Sequence, residues 1–386
     1  MPEAVIVAAT RTPIGKAFKG SLISQRPDDL AALVIKAALE KVPALDPDCV
    51  EDILMGSGQP AGESGYNIAR VAGLLAGLQD VPGTTVNRYC SSSLQTIRMA
   101  FHAIKAGEGD VFVAGGVETV SRFEKGKSDG MPDTKNELFL GDNPSVPNVY
   151  IAMGETAERV ADQEKVTREE MDEYAAMSQQ RAAAAIETGV FKREITPVTL
   201  ADGTVISKDD CPRAGTTAEK LSGLKPVFRE DGRVTAGNAC PLNDGSAAIV
   251  VMSDIRAKEL GITPLARIVS TGLSALNPEI MGLGPIGASR QALDRAGMTI
   301  NDIDLVEINE AFAAQVIPSA KHLEISWDKL NVHGGAIALG HPFGMTGARI
   351  MTTLLNALET KQKTFGLETM CVGGGQGMAM IIERLA

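Results

Sequence analysis

The chain has 386 residues, of which 44% are hydrophobic and 22% are charged, and its formal net charge is −11 at pH 7. A chain of this length can bury a large core and predicts two or more domain-sized units. The acidic balance argues against a nucleic-acid partner, because phosphates need a basic face. No run of about 18 apolar residues occurs, so no membrane span is predicted.

The five cysteines are widely scattered and include no CxxC pair: Cys49, Cys90, Cys211, Cys240 and Cys371. This spacing predicts neither a disulfide framework nor a metal site. The apolar run Ala4–Ala9 is too short for a signal peptide and is typical of a first strand. Free thiols favour a reducing compartment, and we therefore expect a cytoplasmic protein.

The first part of the chain alternates strand and helix patterns. In order, we predict a strand and turn at Ala4–Lys16, a helix at Asp28–Val42, a strand at Val50–Gly58, a helix at Asn67–Ala76, a strand and helix at Thr84–Ile104 and a strand at Gly109–Thr119. The last third repeats this order at Pro264–Gly272, Ile286–Ala296, Ile303–Phe312, Leu330–Glu359 and Glu368–Ile382. The repeat predicts two duplicated α/β halves, with parallel sheets covered by helices.

The segment between the halves has a different pattern. Ser121–Pro147 is polar and irregular, whereas Glu155–Thr188 is a long charged helical stretch with a possible break at Lys165–Thr167. We predict an inserted loop domain at about 120–240, acting as a lid or ligand-binding unit. The predicted domains are 1–262, including this insertion, and 263–386.

Cys90 follows a short β-branched strand and precedes Ser91, Ser92 and Ser93, which can cap a helix start. The field of a helix N-terminus stabilises a thiolate by about 0.3–1 kcal/mol. This placement favours a nucleophile with a lowered pKa. The alternative is a small buried apolar residue, which is a common role of free cysteine.

Three other candidates also end strands or open helices. His341 lies between Gly340 and Pro342 at a loop-to-helix junction, Asn309 follows an apolar strand, and Cys371 precedes three glycines. If the halves pack as pseudo-twofold mates, these loops converge with Cys90. One interpretation is a cysteine hydrolase in which His341 activates Cys90. A two-cysteine acyl transferase also employs Cys371.

Several stretches together resemble the thiolase family of acetyl-CoA acyltransferases over essentially the whole chain. They are the Cys90 turn, Gly115–Arg122, Met153–Ala161, Thr235–Ala239, Asn243–Ala248, Glu307–Ala313, Gly334–Pro342 and Cys371–Gly377. The resemblance implies the α/β thiolase fold, in which two duplicated βαβαβ-type halves form a five-layered αβαβα core with an inserted loop domain. It also implies a homodimer or homotetramer, coenzyme A as co-substrate and no permanently bound cofactor.

By position, Cys90 resembles the acylated nucleophile of the family and Cys371 its acid/base. His341 matches the residue that activates the nucleophile and binds the thioester oxygen, and Asn309 matches the one that holds a water there. The backbone N–H groups of Cys90 and Gly373 match a second oxyanion hole. Arg213 matches a position near the adenine of CoA, and Met153 lies in a matching substrate stretch.

Some positions depart from the family pattern. Three serines follow Cys90 where the family commonly has Gly-Ser-Gly. His333 stands where Asn is usual, which makes it a titratable candidate for the substrate and CoA site. Cys240 replaces a serine that contacts the pantetheine arm, which makes it a CoA-site candidate. Ala152 replaces a histidine that is typical of acetoacetyl-CoA thiolases.

The resemblance therefore implies thiolytic cleavage of 3-ketoacyl-CoA in fatty acid β-oxidation, or the reverse Claisen condensation, through a cysteine acyl-enzyme. Alternatives are an acetoacetyl-CoA-specific biosynthetic thiolase, a condensing enzyme for carrier-protein thioesters, and a catalytically silent acyl-CoA- or lipid-binding protein.

Overall fold

The computed structural model describes residues 1–130, 132–140 and 146–386. The strands are β1 (Ala4–Arg11), β2 (Gly15–Lys16), β3 (Asp52–Gly56), β4 (Gly83–Val86), β5 (Val111–Thr119), β6 (Val198–Thr199), β7 (Val205–Ile206), β8 (Asn243–Ser253), β9 (Ala266–Ala275), β10 (Leu305–Ile308), β11 (Phe365–Val372) and β12 (Gln376–Arg384). The α-helices are α1 (Pro27–Glu40), α2 (Ile68–Leu75), α3 (Ser92–Ala106), α4 (Met153–Glu164), α5 (Arg168–Glu187), α6 (Ala218–Ser222), α7 (Asp254–Glu259), α8 (Gly284–Ala296), α9 (Ala313–His322), α10 (Ala336–Leu339) and α11 (Thr346–Thr360).

The main sheet runs in the order β10-β11-β12-β9-β1-β8-β5-β3-β4. Its two halves join through only two residue pairs between β1 and β9, Val5 with Arg267 and Ile6 with Ala266. Each half has the same pairing pattern, because β5 and β11 run parallel to β3 and β10, and β8 and β12 return antiparallel. The predicted duplication is confirmed. The expectation of parallel sheets is correct only in part, because each half also contains antiparallel pairings.

The secondary structure forms five layers, and three hydrophobic cores hold these layers together. One core lies between the first half-sheet and α1, α2 and α7. The second surrounds α3 and α11 between the two half-sheets, and the third packs the second half-sheet against α8 and α9. The two sheets are thus each covered on both faces, which buries their nearly continuous apolar strands.

The insertion between β5 and β8 contains α4, α5, α6 and the small β6–β7 hairpin. The predicted helix break is present: Lys165 ends α4 with φ +56°, and Thr167 caps α5 through a capping box with Glu170. Residues 131 and 141–145 of the predicted irregular segment lie outside the described residues. Within the described ranges, no helix is long and apolar enough to cross a membrane.

The central layer positions the site by a close helix contact. The N-terminal turns of α3 and α11 meet where Gly347 faces Leu94, and a Cβ on Gly347 would lie 2.4 Å from the Leu94 backbone nitrogen. The backbone N–H of Ala348 also donates to Ser93 Oγ over 2.9 Å. The loops that precede the two helices, carrying Cys90 and His341, are therefore brought together.

Candidate active site

Cys90 occupies a short 3₁₀ turn, Tyr89–Ser91, between β4 and α3. Tyr89 has φ +44°, a left-handed conformation that costs a non-glycine residue about 1–3 kcal/mol. Its N–H donates to Asn87 Oδ1 over 2.8 Å, and Ser92 Oγ donates to its carbonyl over 2.7 Å. These bonds hold a tight turn and present Cys90, which is partly exposed.

The serines after Cys90 do not cap α3 as expected. Ser91 is the N-cap residue, yet its side chain makes no capping hydrogen bond, and its Oγ donates back to the Arg88 carbonyl over 3.2 Å. Ser92 Oγ accepts from the Arg88 N–H, while Ser93 Oγ accepts from α11. The serines therefore brace the nucleophile turn and the α3–α11 contact.

Burial raises the pKa of Cys90 to about 12, although the backbone N–H groups of Gly373 and Cys90 itself oppose this rise. The pKa-lowering effect predicted from the helix N-terminus is therefore outweighed by burial, and that prediction is wrong. The resting thiol is protonated at neutral pH. Attack on a carbonyl then needs a nearby base.

His341 presents a ring nitrogen that can accept this proton. Its Nδ1 lies 2.7 Å from Thr346 Oγ, and this hydroxyl also lies 2.7 Å from the Pro342 carbonyl, which can only accept. The single hydroxyl proton goes to Pro342, so Nδ1–H donates to Thr346 and Nε2 keeps its lone pair. Burial, assisted by the charge of Arg349, lowers the pKa of His341 to about 3. The imidazole is therefore neutral.

Asn309 shares the space in front of Nε2. Its side-chain nitrogen lies 3.4 Å from His341 Nε2, and Gln315 Nε2 donates to its backbone carbonyl over 2.7 Å. The buried Asn309 Oδ1 has no hydrogen-bond partner within the described part of the chain. An amide and an imidazole nitrogen are thus available to one small polar group, such as a water or a thioester oxygen.

Cys371 lies near the end of β11 and is fully buried. Burial raises its pKa, and the neighbouring Cys90 and Cys240 raise it further through negative charge. Burial and then Cys90 likewise raise the pKa of Cys240, which is partly exposed. The structure therefore brings Cys90, Cys240 and Cys371 into one site, with Gly373 N–H donating to the Cys90 sulfur.

His333 does not join this site. Its Nε2 lies 3.5 Å from Thr360 Oγ at the C-terminal end of α11, whereas His341 contacts Thr346 at the other end. Fourteen helical residues separate the two ends by about 21 Å. Burial, followed by the charge of Lys361, lowers the pKa of His333 to about 4. The contact of His333 with Thr360 therefore helps to hold the C-terminal end of α11 in place.

The other two predicted CoA contacts lie in the insertion. The backbone N–H of Arg213 donates to Gln179 Oε1 of α5 over 2.7 Å. Met153 opens α4 and packs against the core of the second half, and Ala152 is the N-cap residue of this helix. Within the described residues, neither Arg213 nor Met153 forms a hydrogen bond to Cys90, His341 or Cys371.

Two buried carboxylates, Glu118 and Glu310, support the site. Glu118, at the end of β5, accepts the N–H groups of Gly58 and Gly344 over 2.7 and 2.9 Å. Burial raises its pKa to about 7. Its place at the carboxyl end of a parallel strand was a signal that could have found it.

Glu310 joins the Asn309 loop to its surroundings. It accepts from Tyr174, Ser178, Asn331 and the backbone of Ile337 over 2.7–3.0 Å. Because Tyr174 and Ser178 belong to α5, this carboxylate fixes the loop against the insertion. The network depends on tertiary contacts, and no sequence spacing indicates it.

Two family models cover this chain. "Thiolase, N-terminal domain" matches residues 4–255, and "Thiolase, C-terminal domain" matches residues 262–384. The chain belongs to the thiolase family. It is 45% identical over 402 residues to the 3-oxoadipyl-CoA/3-oxo-5,6-dehydrosuberyl-CoA thiolase of Escherichia coli K12 and 47% identical over 399 residues to the acetyl-CoA acetyltransferase of that strain. In both cases, the similarity covers 100% of each chain.

Solved thiolase structures agree with this fold. Bacillus anthracis acetyl-CoA acetyltransferase matches with a TM-score of 0.90 and 43% identity, and human mitochondrial 3-ketoacyl-CoA thiolase matches with 0.89 and 38%. Each similarity covers 100% of this chain and 99% of the other. The expected thiolase fold is confirmed, and the protein is an acyltransferase enzyme.

Proposed function

We propose that this thiolase cleaves 3-ketoacyl-CoA with free CoA, and catalyses the reverse Claisen condensation, through an acyl group carried on Cys90. The observation that carries this proposal is the proximity of the Cys90 and Cys371 thiols. His341, whose Nε2 keeps its lone pair, lies in the loop before α11, and this helix packs against α3 beside the Cys90 turn. A site with one thiol for the acyl group and a second for proton transfer suits ping-pong acyl transfer.

In the first half-reaction, Cys90 Sγ attacks the 3-keto carbon and its proton passes to His341 Nε2. The oxyanion is placed to accept the backbone N–H groups of Cys90 and Gly373. The bond between C2 and C3 then breaks, leaving an acyl thioester on Cys90 and an acetyl-CoA enolate. Cys371 protonates the enolate carbon, and acetyl-CoA leaves.

In the second half-reaction, Cys371 thiolate takes the proton of the CoA thiol. The CoA sulfur attacks the Cys90 thioester, and Cys90 leaves as the shortened acyl-CoA forms. The proton on His341 returns to Cys90. The enolate oxygen formed in the first half-reaction accepts from Asn309 and from His341, which then carries the Cys90 proton. Each oxyanion donor typically lowers such a barrier by about 2.7–4 kcal/mol.

The recognition of CoA is assigned to the insertion. We propose that Cys240 contacts the pantetheine arm, because it lies beside Cys90, and that Arg213 and Met153 contact other parts of the substrate. Ala152 in place of a histidine favours 3-ketoacyl-CoA substrates beyond acetoacetyl-CoA. The names of the relatives add 3-oxoadipyl-CoA as a candidate substrate. A cytoplasmic role in β-oxidation, and domain boundaries at 262/263, stay predictions.

The edge of the first half-sheet supports a homodimer. β4 ends the strand order, so one of its edges is free in the described structure. Exposed apolar side chains lie beside it, with Tyr66 85%, Leu74 48% and Leu75 46% exposed. A second copy would cover both the strand edge and these side chains. Dimer formation there would also support the Cys90 turn, which follows β4 directly.

The experiment is CoA-dependent cleavage of 3-ketoacyl-CoA substrates from four to sixteen carbons, together with 3-oxoadipyl-CoA. Cys90→Ala and Cys371→Ala are assayed beside the native protein, with Cys49→Ala as a control outside the site. Loss of turnover in the two site variants alone supports the two-cysteine mechanism. Binding of acyl-CoA without cleavage of any substrate would instead favour a silent acyl-CoA-binding protein.

A further inference from the structure

Two carboxylates and one guanidinium lie together in the central layer. Glu307 of β10 and Glu368 of β11 are direct partners in the parallel register of these strands. Arg349, on α11, interacts electrostatically with both carboxyl groups. The three residues are 2%, 0% and 0% exposed, so solvent screens none of their charges.

The hydrogen bonding of this cluster is incomplete. Both carboxylate oxygens of Glu368 have no hydrogen-bond partner in the described residues, and the same is true of Arg349 Nε and Nη1. Another buried cation, Arg11, is already paired with Glu194 and Asp209 over 2.9 and 2.8 Å. One guanidinium therefore faces two carboxylates.

Paired strands are about 4.8 Å apart, and two buried carboxylates at such a distance do not both ionise. Ionisation of both would leave one buried negative charge without a partner. Protonation of both would remove the carboxylate that interacts most strongly with Arg349 and leave only the weaker interactions with Glu194 and Glu310. One proton shared by the two carboxyl groups makes the cluster neutral.

The charged groups on neighbouring elements act on the pKa values of Glu307 and Glu368 in the direction that one shared proton requires. Burial raises the pKa of Glu307 to about 8, Arg349 and Arg181 lower it, and Glu310 and Glu194 raise it. Burial also raises the pKa of Glu368, Arg349 lowers it and Glu307 raises it. Burial is the first cause in both cases.

The cluster is connected to the catalytic pair by short stretches of chain. Glu307 lies in β10, and Asn309 follows this strand only two residues further along the chain. Arg349 follows Thr346 by about one helical turn, and Thr346 bonds His341 Nδ1. The positive charge of Arg349 is one cause of the low pKa of His341.

Resting on the function proposed above, we infer that Glu307 and Glu368 share one proton beneath the active site and are positioning residues for His341. While the proton is held, the carboxyl pair balances Arg349 and His341 remains a neutral base. Loss of the proton leaves a buried negative charge that opposes the charge developing on Cys90 and on the enolate oxygen. We therefore expect kcat/KM to fall at alkaline pH, where the shared proton is lost.

The direct test is infrared spectroscopy of the folded protein at pH 7, with Glu368→Gln, Glu307→Gln and the control Glu359→Gln. Glu359 belongs to α11, as Arg349 does, but its side chain is 50% exposed and paired with Arg193. We expect a protonated carboxyl band in the native protein and the control, and a loss of one such carboxyl in each of the other variants. An unchanged band in both variants would overturn the inference.

Charge counting gives a second test that does not depend on turnover. Each single glutamine variant keeps one carboxylate for Arg349 and should fold. The double variant leaves the guanidinium unpaired, so its urea midpoint should fall by more than the sum of the single changes. Simple additivity would contradict a shared proton.

The positioning role is tested by the pH profile of kcat/KM. In Glu368→Gln, the alkaline fall should move upward by at least one pH unit, whereas a merely structural role would lower the rate equally at every pH. The same profile as in the native enzyme would refute the effect on His341. If the native protein cleaves no substrate, the proposed function fails, while the infrared band still decides whether the proton is shared.

Discussion

The side-chain nitrogen of Asn309 lies 3.4 Å from Nε2 of His341, although 32 residues separate them in the chain. Asn309 follows β10, whereas His341 lies in the loop before α11. The contact therefore exists only when the second half-sheet and the central helix layer are packed. It places an amide donor beside the imidazole nitrogen, where the proposed mechanism puts the enolate oxygen of the substrate.

Asn309→Ala removes one of the two donors proposed for the enolate oxygen. We expect kcat to fall by about 10²–10³, since this is the typical effect of losing one oxyanion-hole donor. Substrate KM should change much less, because the donor acts mainly in the transition state. Asn301→Ala, at an exposed position, is the control. An equal loss in both variants would exclude this role.

Thr346→Val removes the acceptor for the Nδ1–H of His341 and leaves the imidazole free to change tautomer. We expect a 10- to 100-fold loss of kcat, the usual effect of removing a partner that orients a functional histidine. Thr352→Val is a matched control, because Thr352 is also on α11 and its hydroxyl only donates to Ala348. Steady-state kinetics measures both. Native turnover in Thr346→Val would contradict the assigned tautomer.

His333→Asn should make the protein less sensitive to acid. The pKa of folded His333 is lowered to about 4, so the unfolded chain binds its proton first and stability is lost as pH falls from about 6.5 to 4. Relative to the native protein, we expect the variant to gain about 1–2 kcal/mol at pH 5 compared with pH 8. Urea unfolding at the two pH values measures this difference.

The same variant separates His333 from the active site. Because His333 contacts Thr360 at the far end of α11, CoA-dependent turnover should stay within about twofold of native at pH 8. A large loss of turnover with unchanged stability would show that His333 acts on the substrate after all.

Gly347→Ala tests the contact between α3 and α11. The added Cβ would lie 2.4 Å from a backbone atom of Leu94, and overpacking of this kind costs about 1–3 kcal/mol. We expect lower stability and also slower turnover, because the displaced α3 carries the Cys90 turn. Gly223→Ala is the control, since its nearest atom is 3.9 Å away. Thermal unfolding and turnover are measured on both variants, and equal stabilities would contradict the packing argument.

Much of the architecture could be predicted from the sequence, because strand and helix periodicities are local. The strands at Val111–Thr119 and Phe365–Val372 and the break at Lys165 lie where the pattern indicated them. The direction of pairing could not be predicted in this way. The apolar sequences of β8 and β12 are typical of buried strands in either direction, and only packing shows that they return antiparallel.

Local sequence features also indicated candidate residues for the site. Strand ends and glycine-rich loops marked Cys90, Asn309, His341 and Cys371, and in the structure Asn309 lies beside His341 and Cys90 beside Cys371. Distant partners such as Arg349 and Glu368 carry no local signal, because their effect depends on contacts across layers. The pKa of Cys90 was also missed, since burial is a tertiary property that outweighs the helix field.

The central claim is that Cys90 carries the acyl group and that CoA removes it. The most direct measurement is intact and peptide mass spectrometry after the protein is mixed with a 3-ketoacyl-CoA in the absence of CoA. We expect one acyl group on Cys90 and one acetyl-CoA released per subunit, followed by rapid loss of the acyl group when CoA is added. An acyl group on another residue, or its equally fast removal by water alone, would show that Cys90 does not transfer the acyl group to CoA.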